Sequence, residues 1–171
     1  AKQTSKISDI VSRVRAYAKR DEPEFTKIEA DKLLKTCVSD IRMRYPNCRI
    51  VLSETEPSVV LGHVLEFEVL LENIIKNAIQ AAQTADTNRI EIRQLCENNS
   101  MYVRILNASS VRSSEELEKH LQPLHSSKNQ GLGIGLLICR TIAEKMRGNL
   151  SVTYKDGEVF REVKIPLFVP Q

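Results

Sequence analysis

Residues 72–82 read ENIIKNAIQAA, and this stretch decides how the rest of the fold is interpreted. Apolar positions around it recur at three- and four-residue steps, which predicts an amphipathic helix over residues 64–83. Asn73, Asn77 and Gln80 fall together on a second face at spacings of four and three, as a polar ridge beside the core. The expected buried stripe consists of Phe67, Leu70, Leu71, Ile74, Ala78 and Ala81.

Two asparagines in the middle of a helix require an explanation, because each is less favourable there than alanine by about 0.6 kcal/mol. A magnesium ion that bridges nucleotide phosphates takes few oxygen ligands from the protein and keeps waters for the rest, and the amide carbonyl of Asn77 suits that role. Lys76, rotated about 100° around the helix from Asn77, can reach phosphate oxygens or simply stay solvated. From the helix alone, solvated asparagines without a ligand are an equally good interpretation.

A second informative stretch covers residues 126–146 and reads SSKNQGLGIGLLICRTIAEKM. Gly131, Gly133 and Gly135 directly precede an apolar helix predicted over residues 136–146, where glycine amides can approach a phosphate and the helix N-terminus favours negative charge. The cluster lacks the strand and spacing of a dinucleotide fingerprint and the Gly-Lys-Ser/Thr ending of a P-loop. By itself it is also compatible with a flexible hinge that binds no ligand.

The remaining pattern predicts helices that alternate with short strands. Further helices are expected over residues 4–20, 30–45 and 114–121. Strands are expected over residues 48–54, 89–96, 101–106, 150–154 and 159–167, with turns at 97–100 and at 156–157. This order is typical of an α+β fold, a two-layer α/β sandwich in which helices cover one face of a mixed, mostly antiparallel sheet.

Composition and charge exclude several classes of protein. With 171 residues, 42% of them hydrophobic, the chain can form one domain with a substantial core. Its 25 basic and 22 acidic residues give a net charge of +3 and are dispersed, so no nucleic-acid partner is indicated. The four cysteines lack zinc or C-x-x-C spacing, which indicates reduced thiols. No segment approaches the roughly 18 apolar residues of a membrane span, so no direct membrane contact is expected.

The asparagine helix, two strands and the glycine cluster together resemble the nucleotide-binding fold shared by gyrase, Hsp90, histidine kinases and MutL, over about residues 31–167. In histidine kinases the first motif reads N-L-x-x-N-A-x-x-A, which Asn73 to Ala81 matches with Ile74 in place of leucine. Of the family's L-F-E-P-F-F, the segment LQPLH at 121–125 keeps the leucine and the proline. The family's T-T-K-x-x-G-x-G-L-G-L corresponds to Ser126, Ser127, Lys128, Gly131, Gly133, Ile134, Gly135 and Leu136.

One family motif is altered. The adenine box D-x-G-x-G falls by register on residues 107–111, which read NASSV. The family's aspartate accepts a hydrogen bond from the adenine amino group; Asn107 can accept through its amide oxygen, but without a carboxylate's charge. Ser109 and Val111 replace glycines, and a β-branched residue is unfavourable where a positive φ is needed. Weakened or absent ATP binding is therefore one open alternative.

The resemblance implies the ATP-binding catalytic domain of a two-component sensor histidine kinase. Such a domain transfers the γ-phosphate of ATP to a histidine on a separate dimerisation module, for relay to a response regulator. Residues 1–22 resemble the end of a dimerisation helix and residues 23–171 the catalytic domain, which implies a homodimer in the full-length protein. His63, His120 and His125 do not suit the phosphoacceptor role. A cytoplasmic location is expected, and the domain can be the cytoplasmic part of a membrane-bound sensor.

The resemblance also implies the roles of individual residues. Asn77 would hold Mg²⁺, Asn73 and Lys76 would contact the phosphates, and Asn107 would contact the adenine. The other expected ATP contacts are Gln80, Ser109, Ser127, Lys128, Gly131, Leu132, Gly133, Ile134, Gly135 and Leu136.

Two other functions remain open. The first is a degenerate kinase domain that acts as a scaffold and binds nucleotide weakly or not at all. The second is an ATPase of the chaperone or repair class. In that class a glutamate at the position of Asn73 orients the attacking water as a general base, which an amide cannot do. Glu72 is adjacent in sequence but points about 100° away around the helix.

Overall fold

The computed structural model describes residues 10–12, 25–108, 115 and 133–170. Three helices have bounds within these residues: α1 (Ala30–Arg44), α2 (Val64–Thr84) and α3 (Gly133–Lys145). The strands are β1 (Thr26–Glu29), β2 (Arg49–Glu54), β3 (Val59–Gly62), β4 (Arg89–Glu97), β5 (Ser100–Ala108), β6 (Asn149–Lys155) and β7 (Glu158–Pro166).

A five-stranded sheet forms one layer of the fold. Its strand order is β2-β4-β5-β7-β6, with β2 parallel to β4 and the other neighbours antiparallel. Along β5, Val103 and Ile105 are buried on the side of the helices, while Tyr102 and Arg104 are half-buried on the opposite side. The α+β architecture with a mixed, mostly antiparallel sheet, predicted from the sequence, is confirmed.

Helix α2 lies at the centre of the helical layer, against the sheet, α1 and α3. Its buried positions include Ile75, Ile79 and Ala82 in addition to most of the predicted stripe. The prediction for Ala81 was wrong, because Ala81 is only half-buried and the neighbouring Ala82 is fully buried. A helix packed on several sides buries more than one stripe, which a single-face pattern does not anticipate.

Tight hairpins join the antiparallel strands. Asn98 and Asn99 between β4 and β5 have φ of 50° and 63°, and Asp156 and Gly157 between β6 and β7 have φ of 51° and 82°. Two consecutive positive φ values are typical of type I′ turns, whose twist matches that of the strands. Both turns were predicted from the sequence.

A two-stranded antiparallel sheet of β1 and β3 was missed in the sequence. Each strand has only four residues, and TKIE and VVLG show no sustained alternation of apolar and polar positions. Val60 of β3 forms an isolated bridge to Leu167, beyond the end of β7. The small sheet therefore depends on tertiary contacts that a local pattern does not show.

Other expectations concern the N-terminal helix, the helix predicted over residues 114–121 and the cysteines. Residues 10–12 are helical and Ile10 packs against the core, while the rest of the predicted first helix lies outside the described residues, as does most of residues 114–121.

All four cysteines are free, and burial raises the pKa of Cys37 and Cys139 to about 12, so these two are unreactive thiols. Within the described ranges, no helix is long and apolar enough to cross a membrane.

Candidate functional site

Helices α2 and α3 pack antiparallel, and this packing brings the two predicted motifs together. Three contacts define the direction: Gly135 with Asn73, Cys139 with Leu70 and Lys145 with Glu66. Later residues of α3 thus contact earlier residues of α2. The N-terminus of α3 therefore points toward the C-terminal half of α2, where Asn77 and Gln80 lie.

Asn73 is the residue of α2 that lies beside Gly135 of α3. Its side chain is 9% exposed, and its Nδ2 donates to the carbonyl of Val69 at 2.8 Å. A Cβ added at Gly135 would lie 3.5 Å from Asn73 Oδ1, so the acceptor oxygen of this amide faces α3. A solvated asparagine, one of the interpretations open from the helix alone, does not describe Asn73. Asn77 and Gln80, farther along α2, are half-buried.

Lys76 and Glu72 form an ion pair on α2. Lys76 Nζ lies 3.9 Å from Glu72 Oε2, and the lysine side chain is 17% exposed. The other oxygen of Glu72 accepts a hydrogen bond from Arg44 Nη2 at 2.9 Å. Two cations thus hold the carboxylate toward α1, which agrees with the expectation that Glu72 does not replace the missing general base.

Helix α3 starts earlier than predicted. It is already helical at Gly133, where the described residues resume, rather than from Leu136, so Gly133 and Gly135 belong to the helix and not to a preceding loop. Glycine is unfavourable inside a helix, but packing against α2 offsets this cost, and the Leu136 side chain is buried in the core. Amides in the first turn of any α-helix have no partner within the helix and are suited to an anion, so an anion site is expected at the N-terminal end of α3.

Some of the predicted contacts lie outside the described residues. These are Ser109, Ser127, Lys128, Gly131 and Leu132, and the side chain of Ile134 is likewise not described. Their expected roles stay predictions.

Asn107, the residue at the altered adenine box, contacts a buried arginine that the sequence interpretation missed. Asn107 is 2% exposed and Arg161 of β7 is 9% exposed. Arg161 Nη1 donates to Asn107 Oδ1, and Asn107 Nδ2 donates to the carbonyl of Ala108 at 2.9 Å. Burial lowers the pKa of Arg161 to about 10, which still leaves a cation at neutral pH. The available signal was an arginine on the buried face of β7, between Val159 and Val163.

Asn107 and the ridge of α2 lie at the same end of the domain. Asn107 pairs with Ile90, the second residue of β4. Strand β4 follows the C-terminal end of α2 after only the short connection of residues 85–88. The polar groups of Asn107 and Arg161 are therefore placed at the end of the sheet that adjoins the C-terminal end of α2, and Asn77 and Gln80 lie in that half of the helix.

No dedicated metal centre is present in the part of the chain that the structure describes. No group of three or more His, Cys, Asp or Glu side chains there is arranged to hold a metal ion. The half-buried amide of Asn77 fits a different kind of site, in which Mg²⁺ takes one protein oxygen and the rest of its ligands from phosphates and water.

The chain matches a family described as GHKL domain over residues 63–166. It is similar to the sensor histidine kinase TmoS of Ectopseudomonas mendocina, with 24% identity over 164 positions, covering 87% of this chain and 16% of TmoS. It is also similar to the sensor protein TdiS of Thauera aromatica, with 28% identity, covering 88% of this chain and 28% of TdiS. The chain thus spans less than a third of either relative.

Among solved structures, the catalytic domain of histidine kinase ThkA in a nucleotide-free form is similar, with 27% sequence identity and a TM-score of 0.69. The alignment covers 84% of this chain and 96% of that domain.

Proposed function

Because this chain belongs to the GHKL domain family, we propose that it is the ATP-binding catalytic domain of a two-component sensor histidine kinase. It binds ATP with Mg²⁺ and transfers the γ-phosphate to a histidine on a dimerisation module, for relay to a response regulator. In the whole protein the domain acts within a cytoplasmic homodimer. The observation that carries this proposal is the proximity of Asn73 to Gly135, which places the polar ridge of α2 beside the glycine-bearing end of α3.

This domain needs to supply positioning and charge neutralisation, because the acceptor histidine is the nucleophile. Asn77 would hold the cation through its amide oxygen, and the cation would neutralise charge on the phosphates. Asn73 and Lys76 would fix the phosphate oxygens, with Gln80 one turn beyond Asn77. The first-turn amides of α3 would add hydrogen bonds and a favourable helix dipole.

The residues at positions 72 and 73 disfavour hydrolysis of ATP. An amide at Asn73 cannot accept a proton from water, and Glu72 is engaged by Arg44 and Lys76. Transfer to a histidine, which is itself the nucleophile, needs no such base. A kinase is therefore preferred over an ATPase of the chaperone or repair class.

Two measurements test the proposal. In thermal unfolding, Mg-ATP at 100 times its Kd should add about 2.7 kcal/mol of stability and raise the midpoint. With radiolabelled ATP and a separately prepared dimerisation module that carries the phosphoacceptor histidine, label should appear on that module. If neither ATP nor another nucleoside triphosphate shifts the midpoint, the nucleotide-binding function is wrong.

A degenerate domain that acts as a scaffold is the second candidate. One observation favours it: Arg161 donates a hydrogen bond to Asn107 Oδ1, the oxygen expected to accept from adenine. For such a domain we would expect no change in the unfolding midpoint with any nucleotide and no label on the histidine. The two candidates thus differ in both measurements.

Gly135→Ala should raise thermal stability and weaken nucleotide binding. Alanine is the better helix former by about 1 kcal/mol, and the added Cβ would only touch Asn73 Oδ1 at 3.5 Å. The same methyl group would, however, sterically hinder a phosphate from reaching the backbone amides at the N-terminal end of α3.

Thr141→Ala is the matched control for Gly135→Ala, because Thr141 is exposed on the same helix, two turns away. It should raise stability without changing affinity. Unchanged Mg-ATP affinity in Gly135→Ala, measured by calorimetry, would remove this glycine from the proposed site.

A further inference from the structure

We propose that Asn107 and Arg161 form the base-recognition end of the nucleotide site and select a purine with an oxygen at C6 over adenine. This inference rests on the proposed nucleotide-binding function and names its base. Guanine and hypoxanthine are the bases of this class.

The position of the two side chains supports this role. Arg161 pairs with Ile105, and Asn107 pairs with Val159, so the two residues are diagonal neighbours on the helix-facing side of β5 and β7. That side faces the layer that contains α2. Both residues are more than nine-tenths buried, so their polar atoms are not simply solvated.

The hydrogen-bonding capacity of the pair is dominated by donors. One proton of Arg161 goes to Asn107 Oδ1, and one proton of Asn107 Nδ2 goes to the Ala108 carbonyl. A guanidinium has five N–H protons and a side-chain amide has two, so most of the hydrogen-bonding groups that these two bonds leave over are donors. Among the described residues, Arg161 has no carboxylate partner, so its charge is not neutralised there.

A donor-rich, cationic pair of side chains discriminates between purines by their C6 substituent. Adenine presents an amino group, which would meet other donors and compete with Arg161 for the oxygen of Asn107. A 6-oxo purine presents an acceptor, and arginine donates well to O6 and N7 of guanine. One well-made pairing of this kind gives roughly 5- to 100-fold discrimination between bases.

Calorimetry with Mg-ATP and Mg-ITP on the wild-type chain tests the inference most cleanly. Hypoxanthine and adenine differ at C6 and in the proton on N1, while the triphosphate and ribose are identical. Wild type should bind Mg-ITP at least about fivefold more tightly than Mg-ATP, and Mg-GTP should follow Mg-ITP.

Two variants should shift the preference toward ATP. Arg161→Met removes the guanidinium and releases the oxygen of Asn107 for the adenine amino group. Asn107→Asp provides a carboxylate that can accept from Arg161 and from adenine at once. Because the two changes are independent, a folding defect in one leaves the other as a test. Arg104→Met is the control, since Arg104 lies on the opposite face of the sheet and pairs with Glu162.

Each outcome has a distinct meaning. Tighter binding of Mg-ITP in wild type and in Arg104→Met, with the preference reduced or reversed in the site variants, supports the inference. Equal or tighter binding of Mg-ATP in wild type overturns it and leaves the proposed function standing. If neither nucleotide binds, the proposed function fails and the base preference fails with it.

Discussion

Asn77→Ala should abolish magnesium-dependent binding of ATP and leave the fold intact. Asn77 is half-buried on α2, four residues after Asn73, in the half of the helix toward which α3 points. Loss of groups that only support a metal ligand costs about 10- to 100-fold, so loss of the ligand itself should cost at least about 100-fold. Alanine is the better helix former by about 0.6 kcal/mol, so the unfolding midpoint should rise slightly.

The control for Asn77→Ala is Gln83→Ala, which removes an exposed amide from the same helix. Calorimetry on both variants, with Mg²⁺ and with EDTA, separates the cation from the nucleotide. Wild type in EDTA should behave like Asn77→Ala in Mg²⁺, and Gln83→Ala should behave like wild type. Unchanged affinity in Asn77→Ala would assign the cation to another residue.

Gly148→Ala should destabilise the fold by about 3 kcal/mol or more, which is the upper end of the range for overpacked positions. A Cβ at Gly148 would lie 2.0 Å from the carbonyl oxygen of Lys164 and 2.6 Å from Ile165 Cδ1. The carbonyl belongs to the backbone of β7, which pairs with β6 beginning at Asn149. The carbonyl cannot move without loss of sheet hydrogen bonds, although the end of the Ile165 side chain can.

Urea unfolding and thermal melts measure this effect, and Gly62→Ala is the matched control. A Cβ at Gly62 would approach only the end of the Met146 side chain, at 2.6 Å from its Cε. Methionine adapts to such changes, so this substitution should cost less than about 1.5 kcal/mol. Equal effects of the two substitutions would show that the backbone contact at Gly148 is not the cause.

Local patterns were sufficient for most of the fold. The apolar periodicity around Asn73 predicted α2 to within one residue of its end at Thr84, and turn chemistry predicted the turns of both hairpins. Strands β1 and β3 were missed, because four residues are too few to show a period. The start of α3 was misplaced, because glycine propensity argued against a helix that packing on α2 stabilises.

The sequence predicted one part of the candidate site and missed another, for a physical reason. The proximity of the asparagine helix and the glycine cluster followed from their resemblance to a family motif, and the contact of Asn73 with Gly135 agrees with it. The contact of Arg161 with Asn107 joins residues 54 positions apart on different strands. No periodicity within β5 or β7 encodes that pairing, since it depends on the register between the strands.

The most direct test of the central claim follows both motifs during one titration. In isotope-labelled protein, NMR can monitor the side-chain amides of Asn73 and Asn77 and the backbone amides of Gly133 and Gly135 as Mg-ATP is added. We expect all four signals to shift along one common saturation curve, because they line a single nucleotide site. Shifts confined to one motif, or absent from both at saturating nucleotide, would contradict it.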